Sequence, residues 1–264
     1  MKRLAATLFA GALLAQGALR ILVTVAEQKT GEPVLGLEAK DFTVIEEKTE
    51  RRVDACEFSR KPVDVMLLVD SSAVGEMVRP VASSLVAQLE EKEQMSVVSF
   101  DSSTEMIQDF TSSKQLLSAA LSKIRYGNSP NVLDALFVAL DQGFEHAVFR
   151  KVILLVTTGL EGHSRASERE VALLARRKSI SIYPVYVAGS GKSMFEKLAR
   201  QTGGASFQLR GFRQSGGKTP AAGIFDVIRG YYTLTLPGNL GLMEKVRVEV
   251  KGREKLQVSA LPLD

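Results

Sequence analysis

Residues 63–69 are almost continuously apolar, whereas residues 77–92 place apolar side chains three and four positions apart. The first pattern fits a strand buried on both faces and the second an amphipathic helix. The alternation continues along the chain. Strands are predicted at 96–100, 152–157, 180–187 and 205–209, with a short edge strand at 106–110, and helices at 114–125, 132–146, 167–178, 193–202 and 220–230. Buried strands alternating with helices predict a mostly parallel, doubly wound sheet covered on both faces, a fold that receives ligands at the carboxyl ends of its strands.

Both ends of the chain have a different texture. Residues 21–25, 42–45 and 52–58 at one end, and 231–236, 246–250 and 256–260 at the other, are β-branched or period-two runs separated by turn chemistry such as Lys29-Thr30-Gly31-Glu32-Pro33 and Pro237-Gly238-Asn239. Each end alone is too small for a stable sheet. The two are therefore expected to meet in one small β-sandwich-like domain made of residues 18–60 and 231–264, from which an α/β domain of residues 61–230 emerges. Residues 210–220 read as a polar, glycine-rich loop.

Residues 1–17 have the layout of an export signal: Lys2 and Arg3, an apolar stretch from Leu4 to Ala15 too short to span a bilayer, and small residues up to Gly17. Export to the periplasm or the exterior is expected, with membrane attachment only if this segment stays uncleaved. Its loss removes two of the 34 basic residues and leaves 32 against 30 acidic ones. With Lys and Arg interspersed among Glu and Asp, that balance argues against a nucleic-acid partner. Cys56 is the only cysteine, which excludes an internal disulfide, a cysteine-based zinc cluster and a CxxC redox pair.

The run Val65-Met66-Leu67-Leu68-Val69-Asp70-Ser71-Ser72 resembles the first strand and following loop of von Willebrand factor type A domains, where an apolar strand leads into Asp-x-Ser-x-Ser. Further landmarks fall in the family's order: Val97-Val98-Ser99-Phe100-Asp101, Leu133-Asp134-Ala135-Leu136, the strand from Val152 to Gly159, and Leu198-Ala199-Arg200-Gln201-Thr202-Gly203-Gly204. The flanks, through Val34-Leu35-Gly36-Leu37 and Lys40-Asp41-Phe42-Thr43-Val44, look like those of VWFA-related exported acidobacterial proteins. The resemblance implies a divalent cation held by oxygen ligands from three loops above the sheet, with one coordination place open to a partner's carboxylate. Asp70 and Ser72 match the first two ligand positions, but Val74 stands at the third, Pro130 where a Thr is expected, and Thr158-Gly159 where Asp-Gly is expected. One carboxylate leaves at most a weak Mg²⁺ site. No cofactor is therefore expected, and Asp70 is instead expected to accept hydrogen bonds from hydroxyls and N–H groups at the start of the helix near Gly75, or to cap that helix. Asp101 and Glu161, in adjacent loops, are the remaining carboxylates near this site.

Other chemistry fails on spacing. Gly189-Ser190-Gly191-Lys192-Ser193 opens a helix, but a phosphate loop needs a glycine where Tyr186 stands, and Gly217-Lys218-Thr219 meets Phe212 in the same place. Asp70 after a buried strand also resembles the nucleophile of haloacid dehalogenase-type phosphatases, whose second Asp is here Ser72. His146 and His163 lie in no catalytic or metal-ligand spacing. The sequence thus points to a non-enzymatic module that binds another protein through Asp70, Ser72, Ser129, Thr158 and Glu161. A phosphate- or nucleotide-processing enzyme using Asp70 or Lys192, and a structural envelope component, are the alternatives.

Overall fold

The computed structural model describes residues 18–187, 189–210, 218–238 and 246–263. Residues 1–17, read above as an export signal, and residues 211–217 of the glycine-rich stretch lie outside the described residues.

The chain runs through β1 (Ala18–Glu27), β2 (Phe42–Glu46), β3 (Thr49–Arg51) and β4 (Ala55–Arg60) before entering the α/β portion. There follow β5 (Val63–Asp70), α1 (Arg79–Val86), β6 (Gln94–Phe100), β7 (Thr104–Thr111), α2 (Lys114–Lys123) and α3 (Val132–Gln142). Then come β8 (Arg150–Thr157), α4 (Glu168–Arg177), β9 (Ser181–Tyr186), α5 (Lys192–Gln201), β10 (Phe207–Gln208) and α6 (Pro220–Arg229). The chain closes through β11 (Gly230–Pro237), β12 (Val246–Val250) and β13 (Leu256–Leu263).

The central sheet has the order β10-β9-β8-β5-β6-β7, parallel throughout except for the antiparallel edge strand β7. All eight residues of β5 are buried because both faces are covered. Their alternation divides the core. Val63, Val65, Leu67 and Val69 pack with the apolar stripes of α1, α2 and α6, while Met66 and Leu68 pack with α3, α4 and α5. The chain moves from β5 to β6 on one side and returns to β8 on the other, so the strand order reverses at β5 and opens a crevice above its carboxyl end.

The predicted helices exist, most of them shorter, with α5 of the expected length but shifted by one residue. In place of one helix over 77–92 there is a 3-10 turn, Gly75–Val78, and then α1 with Pro80 in its first turn. The helix over 132–146 stops at Gln142, and the next residue, Gly143, leaves no room for a side chain: a Cβ there would lie 2.1 Å from Met66 Cε. The expected strand at 52–58 begins only at Ala55, as β4, and is preceded by β3 at Thr49–Arg51, which the pattern does not predict.

Strands from the two chain ends pair. The sheet β13-β1-β11-β4 faces the sheet β12-β2-β3 across a core of Ile21, Val23, Val25, Tyr232 and Leu234 on one side and Phe42, Val44 and Val248 on the other. Tyr232 stands between Phe42 and Phe58, with ring centroids 5.4 and 5.1 Å away, and its hydroxyl donates to Val34 O at 2.9 Å. The two crossings into the α/β portion are neighbours, since Gly230 pairs with Arg60 and Lys61 N–H donates to Arg229 O. Arg229 fixes this junction from the buried side. Its Nε and Nη2 reach the two carboxylate oxygens of fully buried Glu93 at 2.8 and 2.6 Å, Nη2 also donates to Gln88 O at 2.7 Å, and the guanidinium lies 4.6 Å from the Phe225 ring centre.

Candidate functional site

Asp70 ends β5 beside the carboxyl end of β8, and its side chain is fully buried in the crevice. A buried carboxylate needs partners, and every one found here is a local donor. Oδ2 accepts from Thr157 Oγ1 at 3.0 Å, Thr158 N–H at 2.9 Å and Thr158 Oγ1 at 2.8 Å, while Oδ1 accepts from Ser72 N–H at 2.9 Å. The expected neighbouring hydroxyls are those of Thr157 and Thr158, but the N–H donors are Thr158 and Ser72, not groups at the start of the helix near Gly75. That correction has a simple cause: Gly75 N–H is turned to Ser72 O at 2.8 Å, and Val74 occupies the cap position without a side-chain cap. Gly75 still matters by its size, because a Cβ there would lie 2.4 Å from Asp70 O and 3.0 Å from Oδ1.

The loops around Asp70 are joined to one another. Gly127 N–H donates to Ser71 O, Ala73 N–H to Asn128 O, Asn131 N–H to Asp101 O, Gly162 N–H to Pro130 O, and Gly191 N–H to Gly159 O. Side chains add to this lacing. Asp101 accepts from Asn128 Nδ2 at 2.8 Å and from Ser103 N–H at 2.8 Å. Partial burial works to raise the Asp101 pKa, but these bonds, the Asn128 bond foremost, outweigh it and hold the carboxyl below its ordinary value.

Of the five expected face residues, Asp70, Ser72 and Thr158 come together in the crevice, where all three are buried. Ser129 is exposed on the adjoining loop. Glu161 is turned away toward α3: its Oε2 accepts from Val132 N–H at 3.0 Å, and Ser164 Oγ accepts from Leu133 and Asp134 N–H beside it. Burial pushes the Glu161 carboxyl above its ordinary value, against the lowering effect of these bonds. Together Glu161 and Ser164 satisfy first-turn amides that the N-cap residue Asn131 leaves without a side-chain acceptor. Thr157, Asn128 and Ser164 were not singled out from the sequence, although the doubled hydroxyls of Thr157-Thr158 in place of an Asp are a readable signal for a carboxylate's hydrogen-bond partners.

The donor set does not fit a divalent cation. Asp70 Oδ2 already receives three hydrogens, Val74 supplies no ligand atom and points outward, and Asp101 and Glu161 are engaged elsewhere. Of the candidate oxygens, Ser72 Oγ and Glu161 Oε1 are buried and without a hydrogen-bond partner among the described residues, and Glu161 is turned toward α3. No cluster of three or more His, Cys, Asp or Glu side chains suited to a metal occurs among the described residues. On the loops around this closed crevice Val74, Met77 and Leu160 are exposed by 51, 57 and 42%, alongside the polar Glu76, Asn128 and Ser129.

The order of strands and the crevice at the reversal of β5 define a doubly wound α/β domain with a candidate binding face at its upper end. The chain belongs to the von Willebrand factor type A domain family, whose model matches residues 64–218. Among solved structures it is similar to proximal thread matrix protein 1 of the mussel byssus, described with a zinc-occupied MIDAS motif. The identity is 16% and the TM-score 0.52, over 75% of this chain and 50% of that one. It is also similar to an aerotolerance-related membrane protein from Bacteroides fragilis, with 15% identity and a TM-score of 0.47 over 63% of this chain and 96% of that one. No curated protein matches the chain.

Proposed function

We propose that this protein is an exported, non-enzymatic interaction module of the VWFA-related type, which holds another protein on its upper face without a metal ion. The observation that carries the reading is the saturation of Asp70 by Thr157, Thr158 and Ser72. The carboxylate is spent inside the fold, and the surface above it offers Val74, Met77 and Leu160. A partner therefore meets apolar side chains on loops already laced together, so little ordering entropy opposes docking. Export rests on the basic start and apolar stretch of residues 2–15.

Catalysis finds no support at the two residues an enzyme would use. Asp70 is fully buried with both oxygens occupied, so it is a poor nucleophile. The loop before Lys192 spends Gly191 N–H and Ser190 Oγ on Gly159 O, and Lys192 Nζ lies 3.7 Å from Glu196. A phosphate would have to displace those bonds.

The test is capture of a partner from an envelope extract by the intact protein and by Val74→Asp/Leu160→Asp, each with and without EDTA. The partner is identified by mass spectrometry and its direct binding is then measured. Capture that survives EDTA and falls at least about tenfold in the variant, equal to about 1.4 kcal/mol, supports the proposal. Capture abolished by EDTA, or indifferent to both substitutions, contradicts it.

A further inference from the structure

The far side of the molecule, where α4 and α5 approach β12 and β13, carries a feature that the upper-face reading leaves unused. Three adjoining hollows of about 400, 370 and 220 Å³ lie there. Arg200 borders the first and second, and Arg176 and Gln201 border the second and third, so the three form one trough. Seven Lys and Arg residues line it against two glutamates. Both glutamates have cationic neighbours already, Glu249 in Arg247 and Glu196 in Lys192. Arg200, Arg253 and Lys255 are exposed and make no ion pair with any described residue. In a chain whose opposite charges nearly balance, this is a local excess of positive charge in a concave site, which focuses the field on whatever enters.

The trough also has a backbone direction. β12 pairs only with β2 and is the outer strand of its sheet, and Val246, Arg247 and Val248 of that strand line the second hollow with Val258 and Ala260. An edge strand beside a hollow that combines apolar residues with Arg176, Arg200 and Arg247 suits an extended polypeptide, which can add main-chain hydrogen bonds to the edge while its side chains reach the walls. A flat bilayer surface cannot follow a hollow of this size to its floor. A nucleic-acid backbone has no ladder of N–H and C=O groups with which to pair the edge of β12.

We propose that this trough is a second docking surface, taking an extended acidic segment of a partner protein along β12, with Arg200, Arg253 and Lys255 pairing its carboxylates. The surface is distinct from the upper face, so Val74→Asp/Leu160→Asp leaves it intact and the two readings fail separately.

The probe is a fluorescein-labelled twelve-residue peptide of alternating Glu and Val, followed by anisotropy at about 50 mM and about 500 mM salt. Binding at the lower salt is expected, weakened at least about tenfold by the higher salt and to a similar extent by Arg200→Glu/Lys255→Glu. Lys123→Glu/Arg125→Glu, beside the upper loops, is expected to bind as the unmodified protein does. Because all four side chains are exposed, equal melting temperatures across the variants check that folding is unchanged. Absence of peptide binding overturns the proposal, as does equal affinity in Arg200→Glu/Lys255→Glu. So does tighter binding of a thymidine dodecamer or of phosphatidylglycerol vesicles than of the peptide.

Discussion

Thr158 offers both its backbone N–H and its hydroxyl to one oxygen of Asp70, at 2.9 and 2.8 Å, from the position where the family motif places a second carboxylate. A residue that would have shared a cation with Asp70 has become its hydrogen-bond donor. Removing either side of this relationship should therefore cost stability. Asp70→Ala strands the donors of Thr157, Thr158 and Ser72 in a buried site and is expected to destabilise by about 3 kcal/mol or more. Thr158→Val removes one of several donors, keeps the shape and should cost about 1 kcal/mol. Urea unfolding of the two variants measures both. Near-neutral Asp70→Ala would show that the carboxylate is not held as described.

The pair of Arg229 and Glu93 locks the point where the chain crosses between its α/β and terminal β portions. Arg229→Met leaves Glu93 charged and buried, at an expected cost of roughly 3–5 kcal/mol. Arg229→Met/Glu93→Met, which removes both charges, should recover most of that loss. A double-mutant cycle by chemical denaturation gives the coupling directly. Simple additivity of the single losses would contradict the pairing.

Glu161 should leave a signature in the pH dependence of stability. Its folded carboxyl titrates above the ordinary glutamate value because burial outweighs the hydrogen bonds at α3. Between the ordinary and the raised value the folded state binds more protons than the unfolded one, so stability falls as pH rises through that window. Glu161→Gln keeps an acceptor for Val132 N–H without titrating. Relative to this variant, the unmodified protein is expected to lose melting temperature on going from about pH 4 to about pH 7. A relative gain over the same interval would reverse the assignment.

Much of the fold was legible because burial writes itself into the period of the sequence. The eight residues of β5 and the stripes of α1 to α6 carry it, and the fold class follows from their order. Element ends were less legible where they depend on a distant contact. α3 ends at Gln142, where Gly143 packs closely on Met66, and α1 ends at Val86, well before Lys92, with Glu93 just beyond it meeting Arg229. At the crevice, Asp70, Ser72 and Thr158 could be found by position. Glu161 could not be assigned to the α3 terminus, because its partner Val132 lies 29 residues away and the bond requires the folded loop.

On the proposed metal-free reading Asp70 is satisfied within the fold and holds no cation, and titration with Mg²⁺ and Mn²⁺ followed by thermal unfolding is the sharpest test of this. A positive control is Val74→Ser/Thr158→Asp, which restores two oxygen ligands. At about a hundredfold excess over its Kd a bound ion adds roughly 2.7 kcal/mol, so the control should gain stability with metal. The unmodified protein is expected to unfold at the same temperature with and without either ion. A metal-dependent rise in the unmodified protein that disappears in Asp70→Ala would contradict the account.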